Sequence, residues 1–165
     1  NTANNNSVVG IDLSYSDFNN VLGNIANYNI LGIYLNVSDN NFIVRNDANY
    51  NLNHGLDLFI SNENNLTGNT ANYNSRGINI NLGDLNIISN NTANDNNIAG
   101  IYLSSSEFNT VIGNTLIGNG KCIVEVNCAG NEFSDNGSCN YGQTKENPFD
   151  LILNVLSVVG GAAII

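Results

Sequence analysis

Apolar residues recur along this chain in short alternating runs, and the runs themselves recur. After a glycine come Ile11 and Leu13, then Ile33 and Leu35, Leu56 and Leu58, Ile78 and Ile80, Ile101 and Leu103. Each cycle also holds an isolated apolar site: Val21, Ile43, Leu66, Ile88, Val111 and Phe133. A third site reads Ala3, Ala26, Ala48, Ala71 and Ala93, with Leu116 in the sixth cycle. Alternation at period two marks strands that send every second side chain inward. No single cycle can bury these groups alone, so the cycles must stack.

Polar residues keep the same beat. Asn1, Asn24, Asn46, Asn69, Asn91, Asn114 and Asn136 recur at spacings of 23, 22, 23, 22, 23 and 22. A second column runs Asn19, Asn41, Asn64, Asn86, Asn109 and Asn131. A glycine column runs Gly10, Gly32, Gly55, Gly77 and Gly100, and its next position is Cys122. Glycine to second asparagine is always nine residues and second to first is always five; only first asparagine to glycine varies, between nine and eight. One corner therefore tolerates an extra residue while the other sides are fixed.

This pattern predicts an all-β chain: a right-handed parallel β-helix of about six 22/23-residue coils. At an interstrand distance of about 4.8 Å, stacked amides would form ladders along the axis. Leucine-rich repeats share the period but want a denser leucine consensus. Helices do not suit segments this short and this rich in Asn and Gly. The sixth coil departs from the pattern, with Cys122 for glycine and Glu125 at an inward position. We expect β-helix over 1–141, with its C-terminal cap at about 122–141, a linker over 142–150, and an apolar segment over 151–165. That last run resembles the first part of a membrane anchor. The chain opens inside a repeat, so additional coils on the N-terminal side of a parent chain are expected.

The polar work is done with little charge. Charged residues are 11% of the chain, and 4 basic against 14 acidic residues give a net charge of −10. An acidic surface repels phosphate backbones, so nucleic acid is not an expected partner. Three cysteines, Cys122, Cys128 and Cys139, sit near the C-terminal end. They fit either a cytosolic thiol cluster or a disulfide in an oxidising compartment, with Cys122–Cys139 the pairing we expect.

The unit N-T-A-N-x-N-x-x-x-G-I-x-L-x-x-S-x-x-N-x-V-x-G, from Asn1 to about Asn136, resembles the parallel β-helix repeat family. It is similar to NosD-like and pectate-lyase-like domains and to Asn-rich archaeal surface proteins. The resemblance is specific for fold and poor for function, because these coils carry lyases, hydrolases, epimerases and adhesins. The regular coils and the terminal apolar run point to an extracellular or cell-surface protein, anchored at its C-terminus. The resemblance implies that ligands lie on the outward face of the strand that the glycine begins. That column is Asp12, Tyr34, Asp57, Asn79, Tyr102 and Val124, with Ser14, Asn36, Phe59, Asn81, Ser104 and Val126 beside it. Rings, carboxylates and amides in this mixture suit a glycan.

Catalysis has weaker candidates. Asp12 and Asp57, two coils and about 9.6 Å apart, approach the spacing of an inverting glycosidase. None of the basic residues Arg45, Arg76, Lys121 and Lys145 falls in the outward column. His54, the only histidine, reads as an exposed turn residue. With one histidine and no methionine, the chain lacks the His and Met ligands of a copper-binding cluster. Asp17, Asp39, Asn62, Asp84 and Glu107 form an acidic stripe that could attract calcium, the one cofactor to consider. Tyr28, Tyr50 and Tyr73 share one position in successive coils, and such stacking is first of all structural. Five N-x-S/T sequons, at Asn5, Asn36, Asn65, Asn90 and Asn136, are compatible with a glycosylated surface protein. The expected role is structural and binding, towards a glycan or surface protein; the alternative is a fragment of a carbohydrate-active enzyme.

Overall fold

A computed structural model describes residues 1–137 and 141–144, the latter as a strand. Long strands β1 (Val9–Ser14), β3 (Leu31–Asn36), β5 (His54–Phe59), β7 (Arg76–Asn81), β9 (Ala99–Ser104), β11 (Lys121–Val126) and β13 (Tyr141–Thr144) form a seven-stranded parallel sheet in that order. Short strands β2 (Asn20–Leu22), β4 (Phe42–Val44), β6 (Asn65–Thr67), β8 (Ile87–Ser89), β10 (Thr110–Ile112) and β12 (Glu132–Ser134) form a second sheet of six. The third side is a column of single bridges, from Thr2 through Ile25, Asp47, Thr70 and Thr92 to Thr115. Every pairing is parallel, one coil upon the next, so the chain is a β-helix.

Register explains the periodicity. Ile33 pairs with Ile11 and Leu56, and Ile43 with Val21 and Leu66, so each apolar residue lies on its equivalent in the coils to either side. Ile33, Leu35, Leu56, Leu58, Leu66 and Ile78 are fully or almost fully buried. The alanine column is buried too from Ala26 to Ala93, and its small side chain suits the narrowest corner of the section.

Asparagine closes the corners. In the first column Asn46 Nδ2 donates to Asn69 Oδ1 at 3.0 Å and to Val21 O at 2.9 Å, and its backbone N–H donates to the same Asn69 Oδ1 at 2.9 Å. The second column repeats this scheme, as at Asn41 and Asn64. A third buried ladder, Asn29, Asn51, Asn74, Asn96 and Asn119, lies at the corner before the glycine and was not singled out from the sequence. Each ladder satisfies backbone N–H groups that the turns leave without a strand partner.

Residues 121–126 and 132–134, expected as a cap, carry β11 and β12 in the same register as the coils before them, and β13 adds a rung beyond. The inward Glu125 is reconciled with its place by Asn131 Nδ2, which donates to Oε1 at 2.9 Å. Cys122 and Cys128 are half-buried against the core and are not bonded to each other. Burial pushes the Cys128 thiol up. Cys139, and with it the Cys122–Cys139 pairing, lies outside the described residues, as do residues 145–165. Among the described residues no helix is long and apolar enough to cross a membrane.

Candidate functional site

The outward face of the long sheet is a cleft of about 520 Å³. Asp12, Tyr34, Asp57, Asn79 and Tyr102 all line it, as five consecutive rungs of one column. They point away from the core, yet all but Asp12 are buried; Asp57 is only 5% exposed. Each of the four buried residues is flanked by the rungs above and below, and the residues that open the strands wall the cleft on one side.

That wall follows from the glycine column. A Cβ on Gly77 would stand 2.7 Å from both the Ala93 Cβ and the Gly100 carbonyl oxygen. The glycine therefore turns its missing side chain into the inner corner, where nothing larger fits. The next residue, Ile78, also faces inward, so alternation breaks here. The residue before the glycine is thereby released to face the cleft. At that position stand Val9, Leu31, His54 and Arg76.

Two expectations are corrected by this break. His54 is not an exposed turn residue: it opens β5, half-buried, with Nδ1 3.1 Å from Asp57 Oδ2. The contact is close enough for an ion pair but not aligned as a hydrogen bond. Arg76 does reach the outward column. Its Nη1 donates to Asn79 Oδ1 at 2.9 Å, and its guanidinium carbon lies 3.7 Å from the centroid of the Tyr102 ring. Asn79 Nδ2 in turn donates to Asp57 Oδ1 at 2.7 Å. So His54, Asp57, Asn79, Arg76 and Tyr102 make one connected set across three coils. Nε of Arg76 is buried without a partner. The signal that could have found these residues was a His and an Arg directly before glycines of the repeat, one coil apart.

Electrostatics follow from the packing. Burial, and then the charges of Asp57 and Asp12, push the Tyr34 phenol up to about 12. Asp12 and Asp57 are not a close carboxylate pair, since Tyr34 is the rung between them, and Asp12 accepts from Ser14 Oγ at 2.7 Å.

The other candidates lie elsewhere. Along the acidic stripe, Asp17 Oδ1 accepts from Asp39 N at 2.8 Å, Asp39 Oδ1 from Asn62 N at 2.7 Å, and Asp84 Oδ1 from Glu107 N at 2.7 Å. One oxygen of each of these aspartates is thus committed to the backbone of the next coil. Among the described residues no three His, Cys, Asp or Glu side chains converge as a metal site. Tyr28, Tyr50 and Tyr73 stack with centroids 5.3 and 4.7 Å apart and rings nearly parallel. The charge of Asp95 at the end of that stack raises Tyr73.

Comparison with known proteins agrees with this architecture. A family profile described as "Periplasmic copper-binding protein (NosD)" matches residues 1–148. No curated protein sequence matches the chain. Among solved structures, the periplasmic alginate epimerase AlgG is similar at a TM-score of 0.67 and 18% identity, over 87% of this chain and 44% of that one. The A-module of the Azotobacter vinelandii mannuronan C-5 epimerase AlgE4 is similar at a TM-score of 0.65 and 15% identity, over 89% and 55%. The enzymatically active domain of tailspike protein 2 of bacteriophage CBA120 gives a TM-score of 0.71 and 14% identity, over 88% and 26%. The chain thus spans about half or less of each of these structures, and at such identities the likeness is one of fold. With most of its length matched by that one profile, and its coils stacked as a right-handed parallel β-helix, the chain belongs to the NosD family.

Proposed function

We propose that this is a cell-envelope or cell-surface β-helix that binds a polysaccharide along the cleft of its long sheet. The observation that carries the reading is the connected set His54, Asp57, Asn79, Arg76 and Tyr102, buried or half-buried and facing outward in one cleft with Tyr34. Aromatic faces stack on sugar rings, and carboxylate, amide and phenol exchange hydrogen bonds with hydroxyls. The unpartnered Nε–H of Arg76 is a donor suited to a sugar carboxylate. The neighbours named for alginate and mannuronan support the same ligand class.

Copper, which the family description names, does not fit this chain. Copper favours His, Cys and Met, and the chain has one histidine, no methionine and no converging ligand group among its described residues.

A glycan array probed with the protein should show polysaccharide binding that Tyr34→Ala and Asp57→Ala each weaken at least tenfold. Binding that both variants leave unchanged would move the ligand out of the cleft. A second reading, an enzyme acting on the bound chain, is favoured by one observation, the imidazole of His54 beside the Asp57 carboxylate. An imidazole so placed can take a proton while the carboxylate orients it. Polyuronates incubated with the protein should then be cleaved or epimerised, and His54→Gln should abolish the change; turnover by that variant sinks this reading. Retention at a membrane through residues 151–165 belongs to the same proposal, and deleting them should release the protein.

A further inference from the structure

The corner between the long and short sheets carries large apolar side chains where the backbone least favours them. Each coil passes this corner in four residues: Tyr15–Phe18, Val37–Asn40, Ile60–Glu63, Leu82–Leu85 and Ser105–Phe108. The first and last of each four are left-handed, with φ between 48° and 58°. The second is buried from Ser38 onward, its hydroxyl serving a Ser ladder in most coils. The third is the outward acidic stripe. Two rows of left-handed residues therefore flank that stripe, and they hold Tyr15, Val37, Ile60 and Leu82 on one side and Phe18, Leu85 and Phe108 on the other. Phe18 is 79% exposed, Tyr15 78%, Phe108 58% and Leu85 53%.

Neither stability nor solubility favours this choice. A left-handed non-glycine residue costs about 1–2 kcal/mol, and exposed apolar area gains nothing from folding. The molecule also holds an internal control. After each short strand another left-handed corner recurs, and its residues are Gly23, Arg45, Gly68, Asn90, Gly113 and Asp135, glycine or polar in every coil. The same conformation is thus filled two ways on two corners. Between and within the apolar rows stand Asp17, Asp39, Glu63, Asp84 and Glu107, and these twenty corner residues include no Lys, Arg or His.

We infer that this corner docks an extended basic, partly apolar segment of a partner protein, with Lys or Arg side chains on the acidic stripe and apolar side chains between Phe18, Leu85, Phe108 and their row-mates. Charge decides among occupants. A second copy would bring a net charge of −10 and few cations, and an anionic lipid surface would be repelled. The surface is separate from the cleft and stands whether or not the cleft binds glycan.

The test uses a fluorescein-labelled alternating Lys-Leu dodecapeptide, with an alternating Glu-Leu peptide as control, and anisotropy of the protein–peptide mixture. Variant F18N/L85N/F108N removes the apolar rows with a side chain that tolerates φ > 0. Variant D39N/D84N removes charge but keeps each ladder acceptor. D39N/D84N should retain the wild-type unfolding transition, and F18N/L85N/F108N should unfold no earlier than wild type. The Lys-Leu peptide should bind, each variant should lose at least tenfold in affinity, and Asp57→Ala should lose none. Moving from 0.01 to about 0.15 M salt should weaken binding further. Absence of binding, or full binding by F18N/L85N/F108N, overturns the inference, the latter because bulk charge alone would then suffice. Loss on Asp57→Ala also overturns it, by placing the peptide in the cleft.

Discussion

Val37 and Ile60 hold φ of 50° and 49° with branched side chains, a conformation in which Cβ crowds the carbonyl that follows. Asparagine visits that region far more easily, so Val37→Asn should stabilise the fold by about 1 kcal/mol in urea unfolding. The ladders predict the opposite sign. Asn69→Ala removes the acceptor for Asn46 N and Nδ2 and the donor to Ile43 O and Asn91 Oδ1, all buried. Unpaired buried groups cost about 1–3 kcal/mol each, so the loss should reach about 3 kcal/mol or more. Tyr34 sets an alkaline limit. Its phenol is held at about 12, above the ordinary 10, so the folded state binds this proton more tightly than the unfolded chain. That contribution is fully present below pH 10 and is lost as pH rises towards about 12. Tyr34→Phe should flatten this part of the stability profile and remove a late-titrating tyrosinate absorbance. At this scale the inward residues were legible because they follow strict alternation. His54 and Arg76 were not, because their direction depends on a break in alternation that only the packing around glycine reveals.

Between single residues and the whole stack, the strand-opening corner is the sensitive element. Gly77→Ala would force its Cβ against the Gly100 carbonyl and the Ala93 methyl, neither of which is a flexible chain end. Overpacking of this kind costs about 1–3 kcal/mol. It should also turn Arg76 away from Asn79, so glycan affinity should fall more than stability alone explains; calorimetric titration beside thermal unfolding separates the two. The strands themselves were readable from the sequence, down to the fixed nine- and five-residue intervals. The end of the stack was less so. Cys122 and Glu125 look like departures from the repeat, but β11 holds its register because backbone pairing with β9 does not depend on those side chains.

Across the whole molecule, each coil touches only its neighbours, so stability is nearly a sum over coils and interfaces. Deleting residues 46–90 would set β9 directly upon β3 with every ladder rejoined. The shortened chain should keep its β-rich circular dichroism at lower stability, and glycan binding should vanish with His54, Asp57, Arg76 and Asn79. A collapse into aggregate would mean that the coils are less interchangeable than their register implies.

The variable corner also says something about ancestry. Asn1, Asn46 and Asn91 fall 45 residues apart and open the coils with the longer corner, while Asn24, Asn69 and Asn114 open the shorter ones. Because this corner leads into the cleft wall, the wall has two alternating textures rather than one. The heritable module is therefore a couplet. Gain or loss of one couplet preserves the rhythm of the wall, whereas gain or loss of a single coil inverts it from that point onward. A lineage could lengthen this groove for longer polymers in doublets without rewriting the contacts already in place.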